Sequence, residues 1–213
     1  MSEVNQLTKR STYRHGDLYQ TLLDAAVELA RKGGKDAIVL REVTRQAGVA
    51  PNAAYRHFAD LKSLLQEVAW AAQARLANSM EQELAKIRPS GDKVKDARAQ
   101  LRAVGTGYLR FAQAEPGLFR MAFSEHADMS NATNPASTGS SGLTPFQILS
   151  TALNELVAAG ELTVERRNAA EFLAWSAVHG LALLLIDGPL RGLEHAQAEV
   201  IGQRLIDMVE RGL

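Results

Sequence analysis

A chain of 213 residues, 46% hydrophobic and 23% charged, can bury a substantial core in one or two domains. It contains no cysteine, which excludes disulfides, thiolate-held iron–sulfur clusters and Cys-containing zinc sites. Formal net charge is zero, so bulk charge offers no argument for nucleic acid, and sparse aromatics with abundant alanine favour close-packed helices.

The charge is unevenly spread. Through Leu65 there are ten Lys/Arg against seven Asp/Glu, a surplus of +3, and the remainder carries −3. That asymmetry fits an ordinary solvated surface unless a local motif says otherwise. No charged-then-apolar leader opens the chain, and the longest strongly apolar run, Ala177–Ile186, is too short for a bilayer. A cytoplasmic protein with no membrane partner is expected.

Residues Met1–Thr12 are polar, with Lys9, Arg10 and Arg14 leading into the first helix. From Asp17, the spacing of Leu18, Leu22, Ala25 and Leu29 predicts one buried helical stripe. Asp17 is placed to cap its start, and Gly33-Gly34 to stop it. A second helix over Leu40–Ala47 turns Leu40, Val43 and Ala47 inward and leaves Arg41, Thr44 and Arg45 outside. Gly48 makes a tight turn, Val49 plugs the space between helices, and Pro51 suits the first turn of a third, very short helix.

That third helix, about Pro51–Phe58, carries Asn52, Tyr55, Arg56 and His57. So polar and short an element gains little from core packing. Following a tight turn, it has the dimensions of a recognition helix for the major groove. A fourth helix is predicted from Asp60 to about residue 88, burying Leu61, Leu64, Leu65, Val68 and Ala72.

The segment from Leu40 through Ala47-Gly48-Val49, followed by Tyr55-Arg56-His57-Phe58 and then Leu64-Leu65, resembles the DNA-binding domain of the TetR family. Three positions depart from that pattern: Val39 stands where Ser or Thr commonly caps the second helix, Ala54 replaces a frequent Leu, and Leu61 replaces a basic residue. The resemblance implies an all-α fold of about nine helices. It divides the chain into a helix-turn-helix domain at 1–60 and a ligand-binding and dimerisation domain at 61–213. It further implies a ligand-responsive regulator, a repressor that binds palindromic double-stranded DNA as a homodimer.

By the same resemblance, Arg41, Tyr55 and His57 touch the DNA backbone or frame the groove, and Lys62 stands in for the base missing at Leu61. Asn52 has the paired donor and acceptor that suit adenine, and Arg56 the fork that suits guanine; both are equally able to face phosphate. Thr44, Arg45 and Pro51 complete the candidate DNA-contacting set. His57 faces either DNA or local packing.

Further along, Val94, Leu101, Val104, Tyr108 and Phe111 predict a helix from Asp92 to Ala114, ended by Glu115-Pro116-Gly117. Leu118–Phe123 forms a short aromatic-rich helix. The Asn/Ser/Thr/Gly/Pro-rich stretch His126–Gly142 reads as a surface loop or a lid. Helices follow over Pro145–Ala159, near Glu165–Ile186, and from Leu193. The second of these is apolar all round, as a helix meeting both its own core and a partner would be. The helices near 165–186 and 193–210 are therefore the candidate dimer surface, with a thick-cored monomer as the other reading.

Trp175-Ser176-Ala177-Val178-His179-Gly180 is similar to the signature of a TetR subgroup with a Trp-His-Gly containing C-terminal domain. Trp175 and His179 share a helix face. With Tyr108, Phe111, Phe119, Phe123 and Phe146 they line a cavity for an unidentified small-molecule effector, or else form an aromatic core. No phosphate-binding glycine loop, HExxH or nucleophile elbow is present, and the five histidines are dispersed. Neither catalysis nor a cofactor or metal is expected.

Overall fold

The computed structural model describes residues 15–124 and 132–213, with side chains from Leu18 onward. Lys9, Arg10, Arg14 and His126 lie outside the described residues. Within them, the regular structure is helical throughout. Ten α-helices follow one another: α1 His15–Gly33, α2 Leu40–Gln46, α3 Pro51–Ala54, α4 Leu61–Leu84, α5 Lys93–Ala114, α6 Pro116–Ala122, α7 Pro145–Ala158, α8 Val164–Arg167, α9 Ala170–Ile186 and α10 His195–Gly212. Short 3-10 turns occupy Gly34–Ala37 and Pro135–Ser137.

The termini follow local chemistry. Gly48 takes φ +70°, and the amides of Gly48 and Val49 bond back to the carbonyls of Arg45 (3.2 Å) and Thr44 (3.0 Å). This paired closure of a helix C-terminus needs a left-handed residue, and glycine adopts that conformation at no steric cost. Asp60 caps α4 through a 2.7 Å bond from the Ser63 amide, and Ser63 Oγ accepts in return from the Asp60 amide. A cap of this kind contributes about 1 kcal/mol. Asp92 caps α5, and Thr144 with Gln147 caps α7 in the same reciprocal way.

Several expectations are corrected. The first helix is already formed at His15, so Asp17 lies inside it instead of capping it. The fourth ends at Leu84, and Leu61 at its start is 40% exposed, in the first turn of the helix ahead of the buried Leu64 and Leu65. The predicted helix near 165–186 is broken into α8 and α9 at Asn168-Ala169, where Ala169 takes φ 61°. A left-handed alanine costs about 1–2 kcal/mol. Arg167 holds the break together, reaching Asn154 Oδ1 (2.9 Å), Ser150 Oγ (2.9 Å) and the Glu171 carboxylate (2.6 Å).

One apolar core runs without interruption from Leu22 of α1 to Leu213 beyond α10. The long helix α4, about 36 Å at 1.5 Å per residue, packs on α1, α5, α6 and α7 and links the N-terminal helices to the rest. A second link joins α1 directly to α6. Gly117 comes so close to the C-terminal end of α1 that a Cβ there would sit 2.6 Å from the Arg31 carbonyl oxygen and closer still to that of Ala30. Beside it, Arg31 Nε donates to both oxygens of Glu115, at 2.8 and 3.1 Å.

Candidate nucleic-acid interface and inner cavity

The N-terminal helices spend their apolar residues inward. Val43, Ala47, Ala54 and Phe58 are buried with Leu22, Ala26 and Leu64, which fixes α2 and α3 against α1 and α4. Arg41, Arg45, Pro51, Asn52, Tyr55, Arg56 and Lys62 are all exposed, spread over α2, α3, the turn behind it and the first turn of α4. Tyr55 is 57% exposed. The sequence thus yields one continuous polar surface bearing four cations and an adenine-compatible amide.

Thr44 does not belong to that surface. It is 1% exposed, and its hydroxyl donates to the carbonyls of Leu40 (3.0 Å) and Arg41 (3.1 Å). Once a threonine hydroxyl is satisfied by its own preceding turn, its methyl is free to pack, and helical periodicity alone does not reveal this choice. The recognition element is also shorter than predicted: α3 stops at Ala54, and Tyr55–His57 form a turn.

His57 is half-buried, its ring 6.4 Å from that of Tyr19, which also stacks on Phe58 at 5.1 Å. Burial, reinforced by a hydrogen bond with Glu67, pushes the Tyr19 phenol up to about 12. Tyr19 and Glu67 thus buttress the Tyr-Arg-His-Phe turn; both are separated from it in sequence, and no local pattern marks them. Arg45 pairs with Glu42 across one helical turn (2.8 Å), and with Gln46 it holds the Glu42 carboxyl at about 2. The pair is solvated, so Arg45 swings free cheaply.

A cavity of about 440 Å³ lies in the helical body, walled by α4, α5, α7, α9 and α10. Tyr108, Phe123, Phe146, Trp175 and His179 line it as the sequence predicts. Phe111 and Phe119 do not. Phe111 is buried in the core, and Phe119, fully enclosed, forms a second layer with its ring 5.5 Å from those of Tyr108 and His179. Gln73 and Met80 of α4, and Ile206 and Val209 of α10, complete the wall. No sequence signal marks them, because each is one ordinary position on an amphipathic helix.

Within the wall, Trp175 Nε1–H donates to Tyr108 Oη (3.0 Å), which lies 2.7 Å from His179 Nδ1. Burial raises the Tyr108 phenol far above its usual value and holds the His179 imidazole below its own. The C-terminal part of the stretch read as a surface loop or a lid is fixed. Ser140 and Ser141 amides donate to Glu81, and Ser140 also to Asn78, so residues 132–142 are fastened to α4. Residues 126–131 of that stretch lie outside the described residues.

Outside the cavity, α9 shows a line of apolar residues to solvent: Phe172, Leu173, Leu183 and Leu184, each at least 40% exposed. On α10, Val200, Ile201 and Met208 do the same. Among the described residues no helix is long and apolar enough to cross a membrane, and no cluster of His, Asp or Glu is placed to hold a metal ion.

A helix-turn-helix carried on a long helix that also walls an internal cavity is the build of a helical DNA-binding regulator. Residues 22–68 match the family described as "Bacterial regulatory proteins, tetR family", and residues 101–209 match "Tetracyclin repressor-like, C-terminal domain". The chain belongs to the TetR family, whose members are non-catalytic DNA-binding regulators.

An uncharacterized HTH-type transcriptional regulator of Haemophilus influenzae is 35% identical over 92 residues, covering 43% of this chain and 42% of that protein. The match therefore spans about two fifths of that relative's length. A Rhodococcus sp. RHA1 protein of unknown function superposes with a TM-score of 0.73 at 25% identity, covering 96% of this chain and 99% of its own. The regulator FadR from Bacillus subtilis, solved with stearoyl-CoA, shares the fold with a TM-score of 0.67 at 16% identity, over 92% of this chain and 99% of its own.

Proposed function

We propose that this protein is a ligand-responsive transcriptional repressor that binds a palindromic operator as a homodimer and acts in the cytoplasm. The carrying observation is the exposed polar surface of α2, α3 and the start of α4, set on a buried apolar scaffold. Arg41, Arg45, Tyr55, His57 and Lys62 are the proposed phosphate and groove contacts, with Pro51 opening the recognition helix. Asn52 and Arg56 are the proposed base readers. Residues 1–60 form the DNA-binding domain and 61–213 the ligand-binding and dimerisation domain, of the Trp-His-Gly subgroup.

Dimerisation is inferred from the contiguous apolar strips on α9 and α10. Exposed patches of this kind, unlike scattered single residues, mark interaction surfaces. Packing two such helix pairs about a twofold axis places two recognition helices on one face of a duplex. The cavity supports a small-molecule effector: its volume lies in the usual range of about 300–1,000 Å³. FadR of B. subtilis, with the same fold, holds stearoyl-CoA. Because α4 begins beside the recognition element and ends in the cavity wall, a ligand that binds the DNA-incompetent arrangement better shifts the population toward it.

The test is selection from random duplexes followed by titration at several salt concentrations. A pseudo-palindromic site bound by two chains, with the logarithm of affinity falling linearly against log salt, is expected. Failure of every selected sequence to give saturable, salt-sensitive binding removes the repressor reading.

A further inference from the structure

The inner cavity carries enough chemistry to narrow the class of its occupant, granted the reading of that cavity as the effector site. Among the described residues no Asp, Glu, Lys or Arg lines it. An ionic ligand enclosed there would lose its hydration without gaining a counter-charge, whereas an apolar one loses nothing it needs. Two aromatic edges, Phe123 and Phe146, and aliphatic side chains of α4, α5 and α10 make most of the remaining wall.

The polar groups in the wall are mostly committed to the protein. Gln73 Nε2 donates to the Ala122 carbonyl (2.8 Å), and the Thr144 hydroxyl donates to that of Ala132 (2.6 Å). Trp175 has one N–H and gives it to Tyr108. Ser176 sits on the exposed side of α9. The buried phenol proton of Tyr108 then needs an acceptor, and His179 Nδ1 at 2.7 Å is the one it meets. Nδ1 is therefore the unprotonated nitrogen, and a neutral imidazole in that state carries its proton on Nε2. Among the described residues that N–H has no hydrogen-bond partner. The relay Trp175→Tyr108→His179 thus fixes a tautomer and leaves the His179 donor unspent on the inner side of α9, with the Ser176 hydroxyl at its exposed side.

We propose that the cavity takes an uncharged, largely apolar molecule bearing a carbonyl-type oxygen, which accepts the Nε2–H of His179, and that it discriminates against carboxylates. Tyr108 is a positioning residue in this arrangement: it touches His179 and sets which nitrogen donates. A ligand oxygen that accepts from this donor, in a wall that is otherwise mostly apolar, is what separates a ketone from a hydrocarbon of equal shape.

Three shape-matched probes test this on the purified full-length protein by equilibrium dialysis at pH 7.5: 2-acetylnaphthalene, 2-ethylnaphthalene and 2-naphthoate. The ketone is expected to bind about tenfold tighter than the ethyl analogue, and the carboxylate more weakly than either. His179→Phe should abolish the ketone's advantage while keeping hydrocarbon binding, and His179→Gln, which retains an N–H donor, should restore most of it. If His179→Phe folds poorly, Tyr108→Phe serves instead: releasing the tautomer should cut the ketone's advantage to a few-fold. Equal binding of ketone and hydrocarbon, tightest binding of the carboxylate, an advantage unchanged in His179→Phe, or no binding of any probe to folded protein each overturns the proposal. Operator affinity is read in parallel. Probes that obey the predicted order without changing it count against the effector reading and leave the cavity's selectivity standing.

Discussion

The two ends of this molecule distribute polarity in opposite ways. Around α2 and α3 the apolar residues go inward and most of the hydrogen-bonding groups go out, Thr44 excepted, to lie exposed at the surface. In the helical body the hydrogen-bonding groups of Tyr108, Trp175 and His179 turn inward and bond to one another, while Phe172, Leu173, Leu183 and Leu184 face out. The first arrangement suits a partner that is a polyanion read by charge and hydrogen bonds. The second suits an apolar occupant within and an apolar partner without. Exposed apolar residues occur near the recognition element too, at Val39 and Leu61, but singly, where they carry no such implication.

The largest effect expected of any substitution comes from the outer face of α9. Leu173→Glu with Leu184→Glu places like charges across the proposed twofold axis, where juxtaposition costs several kcal/mol. Sedimentation should show a folded monomer, and operator affinity should fall at least about 100-fold, since a lone helix-turn-helix offers little interface. A variant that still sediments as the wild type would remove α9 from the interface.

Next in size is the joint between the two regions. Gly117→Ala drives a methyl into the carbonyls closing α1, and overpacking against backbone costs about 1–3 kcal/mol. At about 2–4 °C per kcal/mol for a chain of this length, Tm should drop by roughly 2–12 °C in calorimetry. An unchanged Tm would mean that α1 and α6 separate freely.

The proposed DNA-facing surface should respond in affinity and leave stability alone. Arg56→Ala is expected to cost about 1–3 kcal/mol on the selected operator and to relax its sequence preference at one position. Lys62→Ala should weaken all duplexes alike and reduce the salt slope by about one. Identical sequence profiles for the two variants would erase the division between base reading and phosphate contact.

How much of this was legible in the sequence follows from how local each feature is. Gly48, Pro51 and the Asp92–Glu115 span are fixed by residues within one turn of where they act, and α5 appears where the pattern places it. Thr44 misleads because its inward turn depends on a hydroxyl bonding to its own backbone, which no periodicity records. The break at Ala169 is sustained by Arg167 reaching back to Ser150 on α7, a contact between separate helices. The cavity is the least local feature: residues from α4 to α10 meet there, so Tyr108, Trp175 and His179 stand out by chemistry, while Gln73 and Ile206 do not stand out at all.

The smallest effects expected come from two ion pairs of the same chemistry in the two settings. Glu42–Arg45 is solvated, while Glu171, 9% exposed, is held by Arg167 and Ser150. Both carboxyls titrate below their ordinary value, Glu42 through Arg45 and Glu171 through Arg167. A carboxyl whose folded value is lowered adds stability that is present above its unfolded value and vanishes as pH falls through the folded one. Glu171→Gln should therefore cost about 1 kcal/mol at pH 7, as for one charge-assisted bond weakened to a neutral one, and progressively less as the pH is lowered below the ordinary carboxylate range. Glu42→Gln should leave the denaturation midpoint unchanged at every pH, because a solvated pair is offset by screening and side-chain entropy. Urea midpoints of the two variants at pH 7 and pH 3 read both. A pH-independent deficit in Glu171→Gln would assign its role to shape instead of charge, and equal deficits in the two variants would collapse the distinction between outward and inward polarity.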